Sequence, residues 1–149
     1  MRSEELEIVK AAYGGYGLAF ADGMAVFIPC AFPGDRVRAA ITVRKKNHAF
    51  AEIVDLIEPS FMRVAPECPN FGRCGGCDYL GIRYEHELEI KRMILLESIA
   101  RIGGIRCDAM DQVMTIEGPR FGYRSHATVK FDEGDRKSTR LNSSHRIRS

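Results

Sequence analysis

The chain has 149 residues, 45% hydrophobic and 28% charged, with a formal net charge of +2, a length that suits one small domain and part of another. It contains no run of about 18 apolar residues, so no transmembrane helix is expected, and nothing at its N-terminus resembles a secretory signal. Residues 135–149 carry Arg136, Lys137, Arg140, Arg146 and Arg148 against the single acid Asp135, so the +2 becomes −2 over residues 1–134 and gives no charge argument for nucleic acid.

The first 58 residues read as short strands. Leu6, Ile8 and Lys10 open one, and Gly14-Gly15-Tyr16-Gly17 breaks it. Leu18–Ala21 and Met24–Ile28 flank Asp22-Gly23, a two-residue signal for a type I′ hairpin. Pro33-Gly34-Asp35 marks a further turn. Val37, Ala39, Ile41 and Val43 then alternate with Arg36, Arg38, Thr42 and Arg44, a period of two that puts Arg36, Arg38 and Arg44 opposite the apolar face. A last strand runs from Phe50 to Ile57 and stops before Pro59. Five short strands with glycine-rich turns predict a mainly β fold, a small OB-like barrel.

The cysteines carry the chemistry. Cys68, Cys74 and Cys77 lie in Cys68-Pro69-Asn70-Phe71-Gly72-Arg73-Cys74-Gly75-Gly76-Cys77, which brings three soft thiolates within reach of one centre. Five cysteines are an odd number for a disulfide framework, and clustered thiols fit the reducing cytoplasm. An iron–sulfur centre is favoured over structural zinc, because the Cys-Pro and Gly-Gly pairs suit a loop wrapped around a bulky group. Buried unligated thiols are the plain alternative. Both metal readings need a fourth ligand, and Cys30, Cys107, His48, His86 and His126 are the residues left to weigh.

Residues 84 to 102 read as one helix. Tyr84, Leu88, Leu95, Ile99 and Ile102 form its expected apolar stripe, Glu85, Glu87 and Glu89 complement the dipole at its start, and Gly103-Gly104 ends it. Gln112 to Ile116 and Ala127 to Phe131 look strand-like, as if opening a further α+β domain. From Asp135 to His145 the chain resembles the translation of a sequencing adapter, so residues 135–149 are expected to stand outside the fold and to be disordered.

In their order along the chain, these motifs resemble the S-adenosylmethionine-dependent RNA 5-methyluridine (uracil-5-) methyltransferases. Gly14-Gly15-Tyr16-Gly17, Asp22-Gly23, Val26-Phe27-Ile28-Pro29 and Pro33-Gly34-Asp35-Arg36-Val37 are similar to an N-terminal TRAM domain. The three-cysteine segment is similar to the family's iron–sulfur motif, Tyr84, Leu88, Lys91 and Arg101-Ile102-Gly103-Gly104 to the helix after it, and Tyr123-Arg124 and Ala127 to the start of the central domain. The chain departs from the family at Leu80-Gly81, Glu87 and Ser125-His126. The resemblance implies a TRAM domain at 1–58, an iron–sulfur loop at 59–83, and a helix with a truncated central domain at 84–134. It also implies a [4Fe–4S] cluster on Cys68, Cys74 and Cys77, with the fourth cysteine further downstream. Cys107 stands too early to be that ligand, and Cys30 is expected to be a packed small residue. The nucleophilic cysteine, the acidic base and the S-adenosyl-L-methionine domain would also lie downstream, so no catalytic residue is expected here.

The partner implied is RNA, 23S rRNA first and tRNA next, bound by a cytoplasmic monomer. Arg36, Arg38, Arg44, Lys45 and Lys46 form the densest basic stretch and are the candidate phosphate contacts, with Tyr13, Tyr16 or Phe50 as aromatic platforms. An ordinary solvated strand face is the plain alternative. Two other classes compete. A radical-SAM methylthiotransferase also joins a cluster to a TRAM domain, but with Cys-x3-Cys-x2-Cys spacing and the TRAM domain last. A zinc-bound RNA-binding module without enzymatic activity is the other, and zinc in place of iron and sulfide separates it.

Overall fold

The computed structural model describes residues 3–73, 76–105, 113–123 and 125. Six strands, β1 (Ser3–Glu7), β2 (Lys10–Ala12), β3 (Tyr16–Ala21), β4 (Met24–Pro29), β5 (Arg36–Arg44) and β6 (His48–Glu58), precede the helix α1 (Tyr84–Gly103). The strands form one sheet in the order β1-β5-β6-β4-β3-β2. β1 pairs with β5 and β2 with β3, both antiparallel, so one stretch of chain supplies both edges and the sheet must curl. The single first strand expected from sequence is therefore split in two. At the break, Ile8 N–H donates to the Asp35 carbonyl and Val9 N–H to the Leu18 carbonyl, both at 2.9 Å. β4 and β6 pair in parallel through Ala25–Phe27 and His48–Phe50.

The inner face buries Leu6, Ile8, Val26, Ile28 and Val37 against small Ala19, Ala39, Ala49 and Ala51. The small residues let the sheet close tightly. At Gly17 a Cβ would stand 2.6 Å from the Ala31 carbonyl oxygen and 2.9 Å from Ile8 Cγ2, so no side chain fits. The β3–β4 hairpin turns through Asp22 and Gly23 at φ 49° and 78°, the double left-handed conformation of a type I′ turn.

β5 alternates as its sequence predicts only up to Ile41. A register shift between Ile41 and Val43 then pairs Val43 with Phe50 and Arg44 with buried Ala49. A bulge of this kind exchanges the two faces beyond it. Arg36 and Arg38 share the outer face as expected, whereas Arg44 belongs to the other row and is exposed only at the end of the sheet.

A second cluster, Phe32, Ile82 and Ile90 with Met62, Phe71, Tyr79 and Ile94 around it, seats α1 on the loops beside the sheet. α1 carries Glu85 and Glu87 in its first turn and ends at Gly104, in the left-handed conformation at φ 65°. Its packed face is not the expected stripe. Ile90 and Leu96 are buried, while Met93, Leu95 and Ile102 are exposed. Apolar residues occur on every side of this helix, so its periodicity admits several stripes, and contact with Phe32 and Ile82 selects one. Of the expected strand from Gln112 to Ile116, residues 113–116 are described and take no strand pairing, with Met114 and Ile116 exposed. Ala127 to Phe131 and the segment 135–149 lie outside the described residues.

Candidate cysteine site and nucleic-acid interface

The cysteine loop is pinned at its base. Val64 N–H donates to the Gly81 carbonyl at 2.9 Å and Arg83 N–H to the Met62 carbonyl at 3.0 Å, around an antiparallel bridge between Arg63 and Ile82. The chain thus leaves at Val64 and returns at Gly81 at one point, so the loop is closed at its ends. Gly81 makes this closure possible, since a Cβ there would lie 2.9 Å from the Phe71 ring and 3.2 Å from the Phe32 ring.

Asp35 fastens the loop to the sheet. Its carboxylate is fully buried and accepts from Phe32 N–H at 2.6 Å, Ser60 N–H at 2.8 Å, and Arg63 Nε and Nη2 at 2.7 Å each. The same Nη2 donates to the Cys30 carbonyl at 2.8 Å, and the guanidinium lies 4.7 Å from the Phe32 ring centroid. A two-pronged guanidinium pair of this kind fixes angle as well as distance. The turn of Pro33-Gly34-Asp35 was legible in the sequence, but its ion partner 28 residues on was not.

Within the loop, Phe71 N–H donates to the Cys68 carbonyl at 3.1 Å and Arg73 N–H to the Asn70 carbonyl at 3.0 Å. Cys68 is half-buried and Cys77 exposed. Cys74 lies outside the described residues, and among the described ones no three His, Cys, Asp or Glu side chains are grouped to hold a metal. Cys30 is half-buried at φ 56° and faces the loop, its sulfur 3.8 Å from where a Cβ would stand on Gly72. Burial pushes its thiol pKa up, Asp78 adds to the rise, and Arg63 opposes it. The expectation that Cys30 packs as a small residue near a turn fits this neutral, enclosed setting.

Next to Cys77, Asp78 meets the β2–β3 turn so closely that a Cβ on Gly15 would be 2.4 Å from Asp78 Cβ. Burial raises the Asp78 pKa, partly offset by Lys91. A cavity of about 680 Å³ opens here, lined by Cys77, Asp78, Tyr79, Tyr84, Lys91 and Arg120 among others. Glu87, buried at its wall, binds Lys91 at 2.6 Å and Arg120 at 3.1 Å. The helix-face pair predicted from the Glu87–Lys91 spacing is thus present, and Arg120 joins it by donating to the Tyr79 and Ile82 carbonyls as well.

The predicted basic contacts divide into two groups. Arg36 pairs with Glu58 at 2.9 Å and Glu5 at 3.6 Å, and Arg38 with Asp55 at 2.9 Å and Glu5 at 3.4 Å. These two cations sit in a mixed-sign ladder with three acids. Arg44, Lys45 and Lys46 stand exposed where β5 turns into β6. Lys45 Nζ lies 5.8 Å from the Phe50 ring centroid, and Phe50 belongs to a cluster with Tyr16, Phe27 and His48 at centroid separations of 5.4–6.2 Å. Tyr16 and Phe50 were expected as platforms; Phe27 was not. The missed signal is that Val26, Phe27 and Ile28 are consecutive apolar residues, which gives β4 an apolar outer face as well as an inner one.

A curled, mainly β domain of TRAM/OB-like type, carrying a cysteine loop and a helix against one side, is the class defined here. No family model matches the chain. It is 35% identical over 133 residues to the 23S rRNA (uracil(1939)-C(5))-methyltransferase RlmD of Alkalilimnicola ehrlichii, covering 89% of this chain and 29% of that protein. It is 39% identical over 129 residues to an RNA methyltransferase of Aquifex aeolicus, covering 87% and 30%. Among solved structures, the tRNA (uracil-54, C5)-methyltransferase of Pyrococcus abyssi aligns at 26% identity over 67% of this chain and 21% of its own, with a TM-score of 0.44. The chain is thus a relative of the RNA uracil-C5-methyltransferases, and it spans about three-tenths of the length of the curated relatives it matches.

Proposed function

We propose that the chain is the N-terminal, RNA-binding and [4Fe–4S]-binding part of an S-adenosylmethionine-dependent RNA uracil-C5-methyltransferase acting on 23S rRNA. The relationship to RlmD proteins over 89% of the chain carries this reading. In it, residues 1–58 are the TRAM domain, 59–83 the iron–sulfur loop, and 84–134 the helix and the beginning of the central domain. The exposed apolar residues of α1, Met93, Leu95 and Ile102, suit a helix that packs against more protein than is described.

Cys68, Cys74 and Cys77 would hold the cluster, with a fourth cysteine outside this chain. The donor set fits, since three thiolates within ten residues are a soft-ligand array and Cys77 is exposed beside the cavity. The cluster would supply structural cross-linking of the loop. The chain's own residues do the rest: Asp35 and Arg63 set the loop on the sheet, and Gly15 admits Asp78. Arg44, Lys45 and Lys46 are the foremost phosphate contacts. Arg36 and Arg38 are secondary, because they must exchange exposed carboxylate partners for phosphate, at small cost. Methyl transfer belongs to the domain downstream, which would bring S-adenosyl-L-methionine.

Fluorescence anisotropy with the full chain tests the substrate class. Labelled 23S rRNA fragments are expected to bind more tightly than tRNA at matched salt. A reversed preference supports a tRNA enzyme, and no RNA binding at all would refute the reading.

A further inference from the structure

Resting on the RNA-binding reading, we infer that the outer face of β3, β4 and β6 is a stacking subsite for unpaired bases of single-stranded RNA. Tyr16, Phe27 and Phe50 come from three different strands, yet the register puts them side by side: Leu18 pairs with Phe27, Phe27 with Phe50, and Phe50 with Val43. The β5 bulge is what turns Val43 to this face, where it is 47% exposed, and Phe20 on the same side is 54% exposed. The core of the sheet lies behind them, on the other face, around Val26, Ile28, Ala49 and Ala51. These rings are therefore not needed to fill the interior, and they remain half-exposed to solvent.

Charge selects the occupant. Lys45 borders the rings, its Nζ 5.8 Å from the Phe50 centroid, next to exposed Arg44 and Lys46 where β5 turns into β6, in a stretch with no acid between Arg36 and His48. Residues 1–134 as a whole are net negative, so this rim is a local exception. The Glu5, Asp55 and Glu58 ladder lies along the same sheet around Arg36 and Arg38. Rings that take base faces beside cations that take phosphates are the two halves of a single-strand site. A duplex hides its base faces and offers the rings nothing. His48, edge-on to Phe27 and Phe50 at 5.8 and 5.4 Å, props the rings from the side.

The test uses the full chain and a labelled single-stranded oligouridine, with a duplex RNA of equal length for comparison. Phe27→Leu and Phe50→Leu keep apolar volume while removing the ring. Each is expected to weaken single-strand binding about tenfold, with the salt dependence unchanged because no phosphate contact is lost. An iodouridine-substituted strand is expected to photo-crosslink to Tyr16, Phe27 or Phe50. Should Lys45→Ala weaken binding while both leucine variants bind like the parent, the platform is refuted and the RNA-binding reading stands. Equal affinity for duplex, crosslinks confined to the β5–β6 turn, or self-association in sedimentation that Phe50→Leu abolishes would also overturn it. If the parent binds no RNA, both readings fall.

Discussion

Arg63→Ala should be the most destabilising single change outside the two cores. It strips three hydrogen bonds from one guanidinium and leaves the Asp35 carboxylate, at 0% exposure, with only the Phe32 and Ser60 N–H groups. Removing one partner of a buried pair costs about 3–5 kcal/mol. The two surviving N–H donors and the 19% exposure of the Arg63 side chain place the expected loss near the lower end, about 3 kcal/mol. That is a large share of the stability of a small domain. With a urea slope of about 1.5 kcal/mol per molar, the midpoint should fall by about 2 M. Because the chain has no Trp, far-UV circular dichroism is the appropriate probe. Arg63→Lys should recover part of the loss, since it restores the charge and not the fork. Adding Asp35→Asn to Arg63→Ala should cost less than the sum of the singles, as no bare charge then remains buried. A loss below about 0.5 kcal/mol with additive singles would show that Asp35 does not hold the loop.

Gly15→Ala should unseat the cysteine loop, because its Cβ would meet Asp78 Cβ at 2.4 Å and its φ is +79°. A drop of about 1–3 kcal/mol in urea melts is expected, together with faster bleaching of any reconstituted cluster. For Cys30 the pKa is raised above its ordinary 9.0, chiefly by burial, so the unfolded chain loses that proton first as pH rises. Stability should therefore be fully present below pH 9 and fall above it, and Cys30→Ala should flatten that alkaline decline in melts taken from pH 7 to 10. Replacing Lys45 and Lys46 together by Ala should reduce the slope of log affinity against log salt for single-stranded RNA by about 1.4, two contacts at about 0.7 each. An unchanged slope would take both lysines out of the interface.

How far the sequence reveals the molecule depends on whether a feature is local. The Asp22-Gly23 hairpin, the end of α1 at Gly104 and the Glu87–Lys91 pair each depend on a few adjacent residues, and all are present. The division of the first strand at Ile8 and Val9 is a demand of sheet closure, and no residue there announces it. The bulge after Ile41 is likewise invisible in the alternation it interrupts, so Arg44 was assigned the wrong row. The packed face of α1 was misjudged because Leu88, Ile90, Leu95 and Leu96 give the helix more than one apolar side. The Asp35–Arg63 pair and the Tyr16, Phe27, Phe50 cluster join residues far apart in the chain, which only strand order brings together. The cysteine spacing was read from sequence alone, and its chemistry calls for a direct chemical assay.

That assay is anaerobic reconstitution of the full chain with iron and sulfide, followed by analysis of metal and acid-labile sulfide before and after desalting. The proposed function predicts iron with sulfide, abolished by Cys74→Ser, and largely lost on desalting because three ligands leave one iron site open. Stoichiometric zinc without sulfide, or iron uptake indifferent to Cys68, Cys74 and Cys77, would contradict it.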